Sequence, residues 1–252
     1  MPTALITGAS TGIGLELARV FAREGYALIL VARNQKRLEQ IAAELKPASV
    51  QVIAKDLSLP DAPQEIHRIA PNVDVLVNNA GFGVYGKFTG TSLSEELNMM
   101  QLNITVPVIL TKLYLAGMLA RRSGRILNVA STAAFQPGPL MSIYYATKAF
   151  LLSFSEAIGN ELEGSGVTVT ALCPGPTATE FQERSKIQNA ALVKDRKIMD
   201  ARTVAEAGYR ALMAGKPVVI PGVMNKLLAQ SIRVSPRSMV TKIVRKLQEE
   251  VH

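Results

Sequence analysis

Short apolar runs alternate with longer stretches of helical spacing along most of this chain. Ala4 to Thr7, Ala27 to Ala32, Val50 to Ala54, Val73 to Val77, Arg125 to Ala130, Val167 to Leu172 and Val218 to Ile220 are nearly continuous in apolar character. Continuous rather than alternating runs are the pattern of parallel strands covered on both faces. Between them, Leu15, Ala18, Val20 and Phe21 recur at helical spacing, and Arg37 to Leu45 and Val204 to Ala214 also read as helices. Leu93 to Leu119 is mostly helical but contains Pro107, which removes an N–H and predicts a bend or restart near Asn103. A further helix carries Tyr144 and Lys148 and continues through Phe150, Leu151, Phe154 and Ile158 to about Leu162. Repeated strand–helix alternation without an internal repeat predicts an α/β chain, a doubly wound parallel sheet of about seven strands, with 1–252 as one domain.

Composition narrows the function classes. The chain has 252 residues, 48% hydrophobic and 19% charged, enough to bury a substantial core. One cysteine, Cys173, excludes an internal disulfide framework and reads as a small buried side chain at a strand end. The two histidines, His67 and His252, are far apart and no zinc-ligand spacing exists, so no metal is expected. Apolar sequence begins at Thr3 with no charged leader before it, and no uninterrupted apolar run approaches the ~20 residues of a membrane span. The expectation is a soluble, cytoplasmic protein.

The net charge of +8 changes that picture locally, because six Lys or Arg and no acid lie between Asn225 and Gln248. Residues 224–252 therefore form a basic, helical C-terminal extension. Within it Met239, Val240, Ile243, Val244 and Leu247 fall at helical spacing beside Arg237, Lys242, Arg245 and Lys246. Such a helix can lie on an anionic membrane, close over a substrate site, or pack in an oligomer. No aromatic platform or recognition motif accompanies the charge, so nucleic acid is not an expected partner.

Candidate chemistry begins at GASTGIG, which joins the first strand to the first helix. Gly8, Gly12 and Gly14 permit a tight turn and close backbone approach, while the helix N-terminus offers N–H groups and a positive dipole end to a phosphate. Arg33 ends the second strand, where a carboxylate would bind adenosine ribose hydroxyls and an arginine accommodates a 2′-phosphate. Arg33, with Lys36 or Arg37 nearby, favours NADP over NAD. Asp56, at the end of the third strand, fits either an adenine contact or a turn cap. Asn78 to Gly81, reading NNAG, fits either a loop tie or a ribose contact.

A second constellation lies in STAAFQPGPLMSIYYATK, Ser131 to Lys148. Tyr144 and Lys148, four apart on a helix, share a face. A neighbouring ammonium favours the phenolate and brings the hydroxyl toward a useful acid–base range. Ser131, thirteen residues before Tyr144, follows an apolar strand, and the carboxyl ends of parallel strands are where ligands bind.

TGASTGIG, NNAG, Asn103, Ser131, YYATK and PGPTAT, in this order, resemble the short-chain dehydrogenase/reductase superfamily of the compact single-domain, Rossmann-type form, from about Thr3 to Thr179. The resemblance implies an NADP(H)-dependent oxidoreductase acting on carbonyl/alcohol pairs, with Asn103, Ser131, Tyr144 and Lys148 as a catalytic tetrad. Tyr144 would be general acid or base, Ser131 would polarise the reacting oxygen, Lys148 would lower the Tyr144 pKa and hold the nicotinamide ribose, and Asn103 would position a water. By the same resemblance Gly8, Ser10, Thr11, Gly12, Ile13 and Gly14 would surround phosphates and adenosine ribose, and Asp56 and Leu57 the adenine. Asn79, Ala80 and Gly81 would hold the adenosine ribose and cofactor backbone, and Pro174, Gly175, Thr177 and Thr179 would approach the nicotinamide. Thr177 departs from the family's usual Ile or Val, and Thr11 from the basic residue of some NADP-dependent members.

Phe82, Phe135, Gln136, Met141 and Phe181 are candidate pocket walls, with Tyr145 packing or lining beside them and 181–200 as a mobile substrate cover. Their apolar bias suggests a hydrophobic ketone or aldehyde as the small-molecule partner. A 3-oxoacyl group on acyl carrier protein is the runner-up, and a non-enzymatic NADP(H)-binding redox sensor the alternative outside enzymology. A homodimer or homotetramer is the expected assembly.

Overall fold

The structure, a computed structural model, describes residues 1–45, 49–192, 194 and 198–249. Its strands are the apolar runs: β1 (Thr3–Thr7), β2 (Ala27–Ala32), β3 (Val50–Ala54), β4 (Val75–Asn78), β5 (Gly124–Val129), β6 (Val167–Leu172) and β9 (Val218–Val219), with a short pair β7 (Thr177–Ala178) and β8 (Met199–Asp200). The seven strands make one parallel sheet ordered β3-β2-β1-β4-β5-β6-β9. The order reverses between β1 and β4, the topological switch point at which open parallel sheets bind ligands beyond their carboxyl ends. The parallel pair β7–β8 was absent from the expected elements, since two residues per strand carry no periodic signal.

The helices are α1 (Gly12–Arg23), α2 (Gln35–Glu44), α3 (Ala62–Ile69), α4 (Leu93–Met100), α5 (Val106–Ala120), α6 (Ser142–Glu161), α7 (Phe181–Arg184), α8 (Ala201–Met213), α9 (Val223–Ser231) and α10 (Arg237–Gln248). Leu17, Val20 and Phe21 of α1, Leu38 and Ile41 of α2, and Val204 and Leu212 of α8 cover one face of the sheet. Ile66 of α3 and Leu110, Tyr114 and Met118 of α5 cover the other. With both faces buried, β2 needs no polar residue, and ALILVA has none. Local chemistry sets several boundaries. Gly25 at φ +81° follows α1, Asn34 Oδ1 caps α2 by accepting the Arg37 N–H at 3.0 Å, and Asp200 Oδ1 caps α8 from the Thr203 N–H at 2.8 Å.

The expected break near Asn103 is a π turn, Gln101–Thr105, in which the Val106 N–H reaches back to the Gln101 carbonyl. Pro107 sits just after it, where the helix runs on without a break, and its missing N–H leaves one carbonyl of the preceding π turn without a helical partner. The combined stretch Leu93–Ala120 is 28 residues long and apolar enough to cross a membrane by length and composition alone; the inner face of α5 lies in the core.

The stretch 181–200 was expected to have little periodicity. Among its described residues it contains α7 and β8, and residues 193 and 195–197 lie outside the described part. The predicted helical extension is α9, a 3₁₀ turn at Ile232–Val234, and α10; the predicted last turn at 250–252 lies outside the described residues.

Phe21 is fully buried and meets Tyr26 and Tyr209 edge-on, with ring centroids 5.0 and 5.1 Å away. Phe21→Ala should lower unfolding free energy by about 3–5 kcal/mol, read as a lower urea midpoint at unchanged slope.

Candidate active site

The carboxyl ends of β1, β4 and β5 are tied together by short polar side chains. Thr7 Oγ1 donates to the Val77 carbonyl at 3.1 Å and accepts the Asn79 and Ala80 N–H groups at 2.9 and 3.0 Å. Asn79 Nδ2 donates back to the Thr7 and Gly8 carbonyls at 2.8 and 3.2 Å. Asn78 Nδ2 donates to Asn128 Oδ1 at 2.8 Å, and Asn128 Nδ2 to Ser155 Oγ at 2.8 Å. The NNAG asparagine side chains are thus loop ties. Thr7 opens the TGASTGIG motif, but its side chain had no role legible in the sequence, because a tie to β4 depends on which strand lies beside it.

This tie positions the glycine turn. Gly8 and Gly12 adopt φ +65° and +55°, and an ideal Cβ at Gly8 would lie 2.9 Å from the Ala80 Cα. With Ser10, Thr11 and Ile13 they line a groove at the N-terminus of α1. Gly14, expected around the phosphates, does not line it. A Cβ there would meet the Gly8 carbonyl oxygen at 2.3 Å, so Gly14 serves the close contact of helix and turn instead. Farther along, the groove is walled by Arg33, Lys55, Asp56 and Leu57. Asp56 Oδ1 accepts the Ser58 N–H and hydroxyl at 2.9 and 2.7 Å. Burial would raise its pKa, but these bonds and the Arg33 charge hold it below the ordinary carboxylate value. Lys55, which also escaped the sequence analysis, pairs with Glu65.

A left-handed turn that a Cβ would obstruct, N–H groups at a helix start and a cation beyond β2 together fit a phosphorylated dinucleotide. Asn79, Ala80, Gly81, Pro174, Gly175, Thr177 and Thr179 continue the same cavity toward α6. The Thr177 hydroxyl donates to the Gly175 carbonyl at 2.9 Å.

Ser131 follows β5 and caps a 3₁₀ turn, Thr132–Phe135, by accepting the Ala133 N–H at 3.1 Å; its hydroxyl reaches the Pro174 carbonyl at 3.4 Å and hydrogen-bonds the Tyr144 phenol. Lys148 Nζ donates to the Val129 carbonyl at 2.8 Å and stands 5.8 Å from the Tyr144 ring centre. From the π turn, Asn103 Nδ2 donates to the Phe82 carbonyl at 3.0 Å and Thr147 Oγ1 at 3.1 Å, while its Oδ1 accepts the Phe82 N–H at 3.2 Å. A Cβ at Gly81 would stand 2.8 Å from Asn103 Oδ1 and 3.7 Å from Lys148 Nζ; Ser131, Tyr144 and Lys148 line the cavity, and Asn103 lies behind the loop without lining it.

Beyond Tyr144 the cavity, about 930 Å³ in all, widens into an apolar chamber. Phe82, Gln136, Met141 and Phe181 line it as expected, and the Phe181 ring lies 5.3 Å from that of Tyr144. Phe135 does not line it. The 3₁₀ turn carries its ring to the β5–β6–β9 edge, against Ala130, Leu152, Ala171 and Cys173. Cys173 is buried as expected, and burial pushes its thiol up to about 12.

The far wall belongs to the C-terminal extension, through Ile232, Met239, Val240, Ile243, Val244 and Leu247. Gln248 Nε2 donates to the Tyr145 hydroxyl at 2.5 Å, and the Tyr85 hydroxyl donates to the Gln248 carbonyl at 2.7 Å. The Leu192 N–H reaches the Leu247 carbonyl at 2.8 Å, joining 181–200 to this helix. Of the three uses open to the basic helix, closing over the chamber is the one this packing realises. Its signal was the i, i+4, i+8 row Val240, Val244, Gln248, of which the glutamine broke the apolar pattern.

A family profile described as short chain dehydrogenase matches residues 2–190. The chain belongs to the short-chain dehydrogenase family. It is therefore an oxidoreductase of a family that uses a nicotinamide cofactor. A ketoacyl reductase of Nostoc sp., HetN, is 36% identical over 179 residues, covering 69% of this chain and 62% of the relative's length. A short-chain dehydrogenase from Sphingobium yanoikuyae, solved in complex with NADPH, superposes with a TM-score of 0.82 at 30% identity, over 94% of this chain and 97% of that one. The bulky-bulky ketone specific alcohol dehydrogenase of Comamonas testosteroni gives 0.79 at 31% identity, over 94% and 95%.

In this short-chain dehydrogenase the electrostatics of Tyr144 differ from the sequence expectation. Lys148 was expected to lower the phenol pKa. Burial instead pushes it up, opposed by the Ser131 hydrogen bond. Burial also lowers Lys148 to about 8. Its neutral form is thus favoured in the folded chain, and the unfolded chain, with lysine near ~10.4, binds more protons between those values. Lys148 alone should add stability as pH rises from about 8 to about 10.4 in the cofactor-free protein, while the raised Cys173 thiol works against it above about 8.5. In Lys148→Met that component of the rise should be missing, as measured by urea unfolding across the range.

Proposed function

We propose that this short-chain dehydrogenase reduces a bulky, apolar ketone with NADPH, Tyr144 delivering the proton. The observation that carries the reading is an apolar chamber opening directly off Ser131 and Tyr144 at the end of the dinucleotide groove. The NADPH complex of the Sphingobium protein and the ketone specificity of the Comamonas protein support it.

When bound, the cofactor supplies a hydride to the carbonyl carbon. Gly8, Ser10, Thr11, Gly12 and Ile13 would hold its phosphates, Arg33 the 2′-phosphate, and Pro174 to Thr179 the nicotinamide. The chain's own residues manage the oxygen. Ser131 donates a hydrogen bond to the ketone oxygen, and Tyr144 gives up its proton as that oxygen becomes an alkoxide. Burial keeps the phenol protonated, the state that reduction requires. Lys148, half neutral near pH 8, returns a proton to the tyrosinate and stabilises it while charged. Asn103 holds Phe82 and Thr147, and through them the loop and helix that bear on Lys148 and Tyr144. A 3-oxoacyl thioester is a second reading, favoured by the Nostoc relative's name and by the cations of α9 and α10.

Purified protein assayed for NADPH and NADH oxidation against bulky ketones, aldehydes, steroids and 3-oxoacyl thioesters tests both readings. Highest kcat/KM on bulky ketones supports the first, highest on thioesters the second, and cofactor binding without any turnover removes both. Tyr144→Phe should cut kcat by about 10²- to 10⁴-fold while NADPH binding, followed by fluorescence, stays near the parent value. Arg33→Asp should weaken NADPH by about ten- to a hundredfold and leave NADH nearly unchanged. Equal loss of both cofactors would make Arg33 structural.

A further inference from the structure

The apolar chamber has a mouth, and that mouth lies in an unusual surface. Helix α9 buries one residue, Ala229, and turns the rest of its apolar side chains outward. Val223, Met224, Leu227 and Leu228 are 78, 66, 59 and 57% exposed, and Met239 and Ile243 of α10 are 48 and 49% exposed. On α9 the four fall at i, i+1, i+4 and i+5, a single stripe. On α10, Met239 and Ile243 form a row beside the exposed Lys242 and Lys246. Leu228, Met239 and Ile243 belong at once to the exposed surface and to the chamber wall, so the chamber opens through this patch.

The charge carried by α9 and α10 themselves has one sign. Lys226, Arg233, Arg237, Lys242 and Lys246 are all exposed, and none takes part in a salt bridge among the described residues. No acidic residue occurs from Asn225 to Gln248. A second copy of the chain is a poor cover, because a two-fold interface would set these cations against their own copies with no carboxylate on either helix to pair them. Protruding aliphatic side chains ringed by lysine and arginine match the boundary of an anionic bilayer, with the apolar stripe among acyl chains and the cations at headgroup phosphates.

We propose that α9 and α10 dock on an anionic lipid surface, with the chamber mouth facing the bilayer, so that an apolar substrate enters from the lipid. The entry route rests on the reading of the chamber as the substrate site; the docking does not.

The test uses the full chain in sedimentation with vesicles of phosphatidylcholine alone or mixed with phosphatidylglycerol. The expected result is binding to the mixed vesicles, weak binding to the neutral ones, and loss at high salt. Val223→Glu/Leu227→Glu, outside the chamber wall, should abolish binding, and Lys242→Glu/Lys246→Glu should weaken it by at least about tenfold. Turnover of a water-soluble ketone by the same variants, expected at the parent level, reports on the reductase reading separately, since vesicle binding is measured without it. Equal binding to both vesicle types, no binding to either, or a dimer in solution that Val223→Glu/Leu227→Glu dissociates would each overturn the docking. Docking with kcat/KM for a membrane-dissolved ketone unchanged by those variants would overturn the entry route.

Discussion

The site depends on how the sheet's carboxyl edge satisfies its backbone. Parallel strands that end at a switch point leave N–H and carbonyl groups without ladder partners, and burying them unpaired is costly. Thr7 and Asn79 supply the missing donors and acceptors between β1 and β4, and Asn103 does the same between the π turn, Phe82 and α6. Gly8 is small because these ties draw it against the Ala80 backbone, and Gly81 because the Asn103 side chain lies against it. The dinucleotide groove and the Ser131–Tyr144–Lys148 cluster are two ends of one network.

Within that network two effects oppose each other at Tyr144. A positive charge four residues away favours the phenolate, while removal from water disfavours it. Burial is the largest influence on the phenol, and it also pushes Lys148 toward neutrality. The same burial therefore raises the phenol and lowers the ammonium.

The family region ends near residue 190, yet the chamber does not. Its far wall comes from α9 and α10, anchored where Gln248 meets Tyr145 and Tyr85. The glycine turn and the Ser131, Tyr144 and Lys148 side chains thus lie in the first 180 residues, while the chamber joins Phe82, Gln136, Met141 and Phe181 to residues of the last 60 or so. The same two helices present the cationic, apolar surface around the mouth.

The sequence by itself determined the sheet, the glycine turn and the four side chains at its end. Strand runs such as ALILVA, the turn glycines and the spacing of Tyr144 and Lys148 are local, and local periodicity and conformational freedom are written residue by residue. The tertiary structure alone decided that Phe135 turns to the sheet edge and that Gly14 packs rather than binds. It also decided that the basic helix closes the chamber, and that Tyr144 stays protonated against a nearby charge. Those outcomes depend on which distant segments meet and how much water they exclude, sums over the whole chain that no single stretch records.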